Sequence, residues 1–497
     1  MSVRGQLEVL PSPEREFLEK HLRQNIENIQ PSWEIKTSTL GGRGLFASRP
    51  IKKGTLIFMN RPLVVAPRGD SVGMTYCSTC YNVTKCYPCI ECSLLICSEQ
   101  CNTSPHHAKE CSFIVNNWTL KPKCKSDPFA LAQILVYLRF LLLTEEQLMI
   151  TKILQKDVNS KCRELEQLCS IYVIPEEQLQ VMNTMSSVLK INSFRISNNP
   201  QKKRIPLRGL YPLSAFLNHS CLPNTRNVFM EDYTMAVYAS QDIETGDEIV
   251  SCYTGLLWCT PARRCQLFKT KMFWCKCSRC ADPSELGTGL SKLNCFAEGC
   301  TGALLPVMPL DPSTEWRCDK CGTTHCNDRV STVQSVLGSL VGTLDLDGQL
   351  QLEPPVLKRL ASFVPYSSHI FVDMQHRLAM KIGMSTELKT NELSESRLAL
   401  KESLCRGVLR VVAALGLGDA HHRGLLLYHL HATLAERARR CPDLYEDLKP
   451  EIESTIEQAY NILRDDISAP PDLELRRRYL GPGSDKPHEE RFFILDS

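Results

Sequence analysis

Four close pairs of metal-ligating residues constrain this chain more than anything else in it. They are Cys77-x2-Cys80, Cys89-x2-Cys92, Cys97-x3-Cys101 and His107-x3-Cys111, all between residues 77 and 111. Cysteines that only pack a core are scattered, whereas a knuckle brings two sulfurs to one ion while backbone amides offset the thiolate charge. Eight ligands provide two tetrahedral zinc sites, each ion contributing on the order of 10 kcal/mol to folding of so small a module. His107 and Cys111 are four apart, which places both on one helical face. Cys86 and His106 stand beside these ligands; His107 is preferred, and His106 is expected at the surface. Cys275-x-Cys277-x2-Cys280 lacks a fourth ligand, which must come from elsewhere in the chain. Cys295-x4-Cys300 and Cys318-x2-Cys321, with Trp316 just ahead, supply four sulfurs for one structural site, His325 or Cys326 being able to substitute at one position.

The chain has 25 cysteines and no apolar stretch within Met1 to Lys20 of the kind a secretory signal carries. A reducing compartment with metal-bound thiolates is expected, rather than disulfides. A formal charge of +3 and the lack of a basic helix disfavour direct nucleic-acid binding. The most apolar run, Phe129 to Leu143, is too short to span a bilayer and carries Arg139, so it reads as a buried helix. No membrane association is expected. Strands are predicted at Glu34–Thr37, Thr55–Phe58, Leu63–Val65, Thr234–Tyr238 and Ile249–Val250, with a glycine turn at Gly41-Gly42-Arg43-Gly44. Helical spacing at Leu131, Ile134, Leu135 and Leu138 marks the stretch 126–190. A short helix over Pro13–Ile29 and a pair over Gly407–Leu415 and Arg423–Ala438, broken at Gly416–Asp419, complete the reading.

The heptapeptide Asn218-His219-Ser220-Cys221-Leu222-Pro223-Asn224, followed by Gly246-Asp247-Glu248-Ile249 and Tyr253, resembles the C-terminal signature of SET-domain lysine methyltransferases. The resemblance implies an S-adenosylmethionine pocket built by Asn218 and His219 and completed by Tyr253 as the catalytic residue. It extends to Gly42, Arg43 and Gly44, a Gly-x-Gly loop whose missing side chains would let backbone approach the methionine part of the cofactor. Asn192 and Phe194 match a further cofactor-binding segment, and Gly209-Leu210-Tyr211-Pro212 leads into the heptapeptide. Phe273 stands where the family sets an aromatic ring against the adenine.

The eight-ligand module resembles a MYND zinc finger. That resemblance pairs Cys77, Cys80, Cys97 and Cys101 on one ion, and Cys89, Cys92, His107 and Cys111 on the other. The family's post-SET region makes Cys221 the fourth ligand to Cys275, Cys277 and Cys280. Cys295, Cys300, Cys318 and Cys321 resemble a zinc ribbon, a feature of the arthropod-type branch of SET–MYND proteins. The implied fold is α+β: a β-rich SET fold interrupted by a MYND finger, with a cysteine-rich post-SET segment and an α-helical C-terminal domain. Its expected parts are a leader (1–32), the first SET part (33–76), the finger (77–111), a helical insert (112–190) and the second SET part (191–254). The post-SET segment (255–283), zinc ribbon (284–326) and helical domain (327–497) follow.

The activity implied is S-adenosylmethionine-dependent N-methylation of lysine in a histone or another protein, in a nuclear and cytoplasmic setting. Methyl transfer to an amine needs the neutral nucleophile, in line, in a dry channel that lowers the lysine pKa from its usual ~10.4. A phenol at Tyr253, with carbonyl oxygens around it, would orient the amine and the polarised methyl without acting as a base. The finger would bind proline-containing segments of corepressors. The rival reading is a non-catalytic adaptor that keeps the fold for peptide or corepressor binding.

Overall fold

The computed structural model describes residues 31–68, 74–157, 162–197, 202–343, 360–384, 389–484 and 491–492. The helix expected over Pro13–Ile29 lies outside them. Strands β1 (Trp33–Thr37) and β2 (Arg43–Ala47) form an antiparallel hairpin with Trp33 opposite Ala47 and Thr37 opposite Arg43. Trp33 and Ile35 turn inward and Lys36 outward, the period-two alternation of a half-buried strand. The hairpin bends at Gly41 and Gly42, with φ of 128° and 66°, a backbone region that glycine enters without a Cβ penalty. The sequence places Arg43 and Gly44 in that turn. The structure corrects this, because cross-strand pairing carries both residues into β2.

The remaining strands of this region are β3 (Leu56–Asn60), β4 (Val64–Pro67), β5 (Ser193–Ile196), β6 (Leu207–Leu210), β7 (Asn218–His219), β8 (Thr225–Phe229), β9 (Met235–Ala239) and β10 (Glu248–Ser251). They form three small sheets, ordered β1-β2-β10-β7, β4-β6-β5 and β8-β9-β3. β9 is the middle strand of its sheet and is buried at every position. β7 lies parallel to β10, Asn218 opposite Val250 and His219 opposite Ser251. Asn224 stitches the two segments further. Its amide donates to the Glu248 carbonyl at 2.9 Å and its Oδ1 accepts from the Val250 N–H at 2.8 Å.

Helix α1 (Pro128–Leu141) starts where Asp127 accepts from the N–H groups of Phe129 and Ala130, with Pro128 in the first turn. Its buried face includes Leu131, Ile134, Leu135 and Leu138. Arg139 sits near its end and joins Glu110 of the 77–111 cysteine module, expected to be a finger, at 2.6 Å, with further bonds to Tyr81 and to the carbonyls of Val65 and Ser78. The charge that argued against a membrane span is thus the bolt between helix and finger. No single described helix is long and apolar enough to cross a membrane. Helix α2 (Glu176–Asn192) runs into β5, and α3 (Thr260–Lys271) precedes the 275–280 cysteines.

The C-terminal region contains α4 (Asn327–Thr343), α5 (His369–Lys381), α6 (Glu395–Ala414), α7 (His421–Arg440), α8 (Tyr445–Leu463) and α9 (Leu473–Leu480). The break expected at Gly416–Asp419 separates α6 from α7. α6 begins earlier than the apolar pattern suggests, because Ser394 caps it by accepting from the Arg397 N–H. The helices dock on the edge of the β8-β9 sheet. Asp419 and Ile467 donate backbone N–H groups to the carbonyls of Ser240 and Phe229 at 2.8 and 2.7 Å. The fold is α+β.

Candidate active site and its metal clusters

The structure gathers the predicted ligands into four groups: Cys77, Cys80, Cys97 and Cys101; Cys89, Cys92, His107 and Cys111; Cys221, Cys275, Cys277 and Cys280; and Cys295, Cys300, Cys318 and Cys321. Within each, the ligand atoms all lie within 4.8 Å of one another. Sulfur pairs stand at 3.6 Å for Cys80–Cys97 and Cys295–Cys321, and at 3.7 Å for Cys97–Cys101 and Cys300–Cys318. These distances are far from a disulfide bond and near the ~3.8 Å edge of a tetrahedron with zinc–sulfur bonds of ~2.3 Å. All 25 cysteines are free of disulfides.

Three observations test the fit of a metal. His107 is 2% exposed, yet neither ring nitrogen has a hydrogen-bond partner, which is the state of a ligand facing an ion. His106 is exposed, as expected. At the third cluster, Arg263 donates from Nε to Cys221 Sγ at 3.2 Å and from Nη2 to Cys280 Sγ at 3.5 Å. Arg263 and Arg279 are fully buried and share one carboxylate, Glu285, at 2.7 and 3.1 Å. Two buried guanidiniums against one carboxylate leave a positive charge, which the thiolates of a metal-loaded cluster would offset from the contacts already in place. Backbone N–H groups point at sulfur in the fourth cluster, from Ala297 to Cys295, Gly302 to Cys300 and Lys320 to Cys318, at 3.3 to 3.4 Å.

Beside the third cluster lies a cavity of about 710 Å³, within the range that holds cofactor-sized ligands. Gly42, Arg43, Asn192, Phe194, Asn218, His219, Tyr253 and Phe273 all line it, although they are spread from the first hairpin to the segment after α3. Gly44 does not. A Cβ there would come within 2.3 Å of Glu248 Oε1 and 2.9 Å of Asn218 Nδ2. Its missing side chain makes room for the Asn218–Glu248 hydrogen bond.

Asn218 is held by two acceptors, the Arg43 carbonyl at 3.1 Å and Glu248 Oε1 at 2.7 Å. The other oxygen of Glu248 accepts from Ser38 Oγ at 2.8 Å. His219 Nδ1 accepts from the Tyr253 N–H at 3.0 Å, so the proton of the neutral ring sits on Nε2, 3.2 Å from Cys221 Sγ. Burial pushes the His219 pKa down to about 4. One imidazole thus spans the distance from the tyrosine backbone to the metal cluster. Its ring lies 5.2 Å from that of Tyr253 and 5.9 Å from that of Phe273.

Tyr253 donates its phenol hydrogen to the Leu217 carbonyl, and burial raises its pKa. The phenol is consequently a protonated donor and not a base. Asn192 spends its amide on the carbonyls of Gln155 and Val188, at 2.8 and 2.7 Å, tying the end of α2 to the cavity wall. Phe194 packs edge-on to Tyr211, ring centres 5.9 Å apart. Asn227 Oδ1, in the cavity wall, is buried without a hydrogen-bond partner and offers an acceptor to a bound group.

Sequence reasoning passed over Ser38, Glu248, Arg263, Arg279, Glu285 and Lys271. Glu248 lies within the Gly246–Ile249 motif, but its partner Ser38 is 210 positions away and has no sequence signal. For Arg263 and Arg279 the one available hint was their place in the sequence close to cysteines that the spacing already marks as ligands or thiolates.

The SET domain family matches residues 42–254. The SET domain-containing protein SmydA-8, isoform B, of Drosophila melanogaster is 27% identical over 412 residues, covering 80% of this chain and 90% of its own. Histone-lysine N-methyltransferase SMYD3 of Homo sapiens is 29% identical, over 48% of this chain and 59% of its own. A crystal structure of the SET domain of LSMT bound to lysine and AdoHcy aligns with 98% of this chain and 96% of its own, at a TM-score of 0.30 and 13% identity. This chain carries a SET domain over residues 42–254. Its similarity to SmydA-8 runs through most of both chains.

Proposed function

We propose that this chain is an S-adenosylmethionine-dependent protein-lysine N-methyltransferase acting on histone or other protein lysines. One observation carries the reading: residues from the β1–β2 turn, the α2–β5 junction, β7, Tyr253 and Phe273 converge on a single cavity. Gly42 and Arg43, Asn218 and His219 would hold the amino-acid part of the cofactor, and Phe273 its adenine. When bound, the cofactor supplies an electrophilic sulfonium methyl.

The protein's part is to orient and to exclude water. The protonated Tyr253 phenol, fixed by the Leu217 carbonyl, marks the end at which an acceptor amine would arrive. Burial favours the neutral amine there, as it does for Lys271 in the same wall, whose pKa is pushed down to about 8. Zinc at Cys221, Cys275, Cys277 and Cys280 would join the heptapeptide to the segment carrying Phe273, closing the cavity. Tyr87 and Ile90, 44% and 101% exposed on the finger, offer apolar contacts for proline-containing peptides.

The test is transfer of labelled methyl groups to an array of lysine peptides and proteins, with Tyr253→Phe as control. Wild type should label a defined set. Tyr253→Phe should lose about 100-fold in rate while keeping its cofactor affinity, since the phenol acts in the transition state. Cofactor binding without transfer to any acceptor would instead assign the chain to the adaptors.

A further inference from the structure

Lys271 is the last residue of α3 and lines the cavity with Tyr253, Asn192 and Phe273. The helix ends there because Met272 adopts left-handed backbone, φ 62°, with its N–H on the Phe268 carbonyl. That cap turns the chain so that Lys271 and Phe273 both reach the cavity wall. Lys271 Nζ donates to the Ile191 carbonyl and stands 5.4 Å from the centre of the Tyr253 ring. No Asp or Glu is among the described residues lining the cavity, and none of them gives this amine a carboxylate partner. A lysine that only capped α2 would satisfy the Ile191 carbonyl from the helix exterior, with its charge in water. Here the amine is instead drawn into the cavity, beside the phenol that faces an acceptor.

We propose that Lys271 is itself an acceptor of this pocket, and that the chain methylates its own Lys271 Nζ. This rests on the methyltransferase reading above. Burial lowers the amine's pKa to about 8, which provides a neutral fraction near physiological pH that a surface lysine lacks. The Lys271 lone pair bonds to the methyl carbon of the sulfonium donor. The carbon–sulfur pair returns to sulfur, leaving a neutral thioether, and the surplus proton on nitrogen passes to water. Because nucleophile and pocket share one chain, the reaction is first order in protein.

The experiment uses the full-length, zinc-replete protein and S-adenosylmethionine carrying a deuterated methyl group, followed by peptide mass mapping. Label should appear on Lys271, in a fraction per chain that is unchanged across a tenfold dilution. It should be absent at that position in Lys271→Met and reduced about 100-fold in Tyr253→Phe. An unlabelled Lys271 in protein that methylates other chains would overturn the inference and leave the parent reading intact. Label that falls in proportion to dilution would overturn it too, as transfer between molecules. If calorimetry finds no binding of S-adenosylmethionine, both readings fall together.

A second readout needs no cofactor. Acetylation of Lys271 by an amine-selective reagent should follow a pH profile with its midpoint near 8. A midpoint in the surface-lysine range, near ~10.4, would remove the placement on which the proposal stands.

Discussion

Asn218 donates both hydrogens of one amide, to the Arg43 carbonyl and to Glu248, and so ties the first hairpin to the heptapeptide strand. Gly44 leaves the space for that clamp. Asn218→Ala takes the shared donor from a half-buried carboxylate oxygen and a carbonyl, at ~1–3 kcal/mol, so cofactor affinity should fall about 5- to 150-fold by calorimetry. Gly44→Ala should produce a loss of the same order, because its Cβ would collide with Glu248 at 2.3 Å. Unaltered affinity in Gly44→Ala would mean that the clamp is not needed. The residues legible in the sequence are those that sit in motifs: Asn218, His219, Tyr253, Phe273 and the cysteines. Ser38, Glu248 and Lys271 owe their roles to what folding places beside them, and no spacing rule connects residues 38 and 248.

At the scale of elements, the finger is held to the core by Arg139 of α1 and Glu110 of the finger helix, the pair only 15% and 3% exposed. Breaking such a pair from one side leaves a buried charge uncompensated, at a cost of ~3–5 kcal/mol. Arg139→Met should therefore lower the urea midpoint markedly and release zinc from the finger earlier in the titration. A midpoint matching wild type would show that the finger is held by other contacts. The apolar run of α1 was legible as a helix, since its period and the Asp127-Pro128 start agree. α8 was not, because Pro450, its sixth residue, removes one N–H from the helical ladder and reads as a break, yet the helix continues through it. The β1–β2 turn was misplaced by two residues because glycines mark a bend without fixing the strand register.

Across the whole molecule, the four ligand clusters and the buried histidines carry the predictions about stability. Four clusters of four ligands predict about four zinc ions per chain, and a chelator strong enough to strip them should unfold the finger and open the cofactor cavity. Elemental analysis of the purified protein measures this directly. In the helical region, burial pushes His431 down to about 3, and His429 well below its ordinary value. Unfolded histidine binds a proton near pH ~6.5, so below that value the unfolded chain takes up protons that the folded one refuses. Stability should be fully present above about pH 6.5 and decline as the pH falls towards about 3. Thermal midpoints at successive pH values test this, and the decline should be shallower in His431→Leu. The order of the parts was legible from the cysteine groups and the heptapeptide. The docking of the tail through Asp419 and Ile467 was not, because backbone N–H groups carry it and every sequence has those.

The account turns on whether the hairpin, the heptapeptide and the zinc-held segment after α3 make one pocket for a sulfonium methyl donor. Calorimetric titration of zinc-replete protein with S-adenosylmethionine asks that question most directly. One molecule should bind per chain, with affinity weakened by Asn218→Ala and abolished when the zinc is removed. A flat titration of the intact, metal-loaded wild type would contradict the account at its centre.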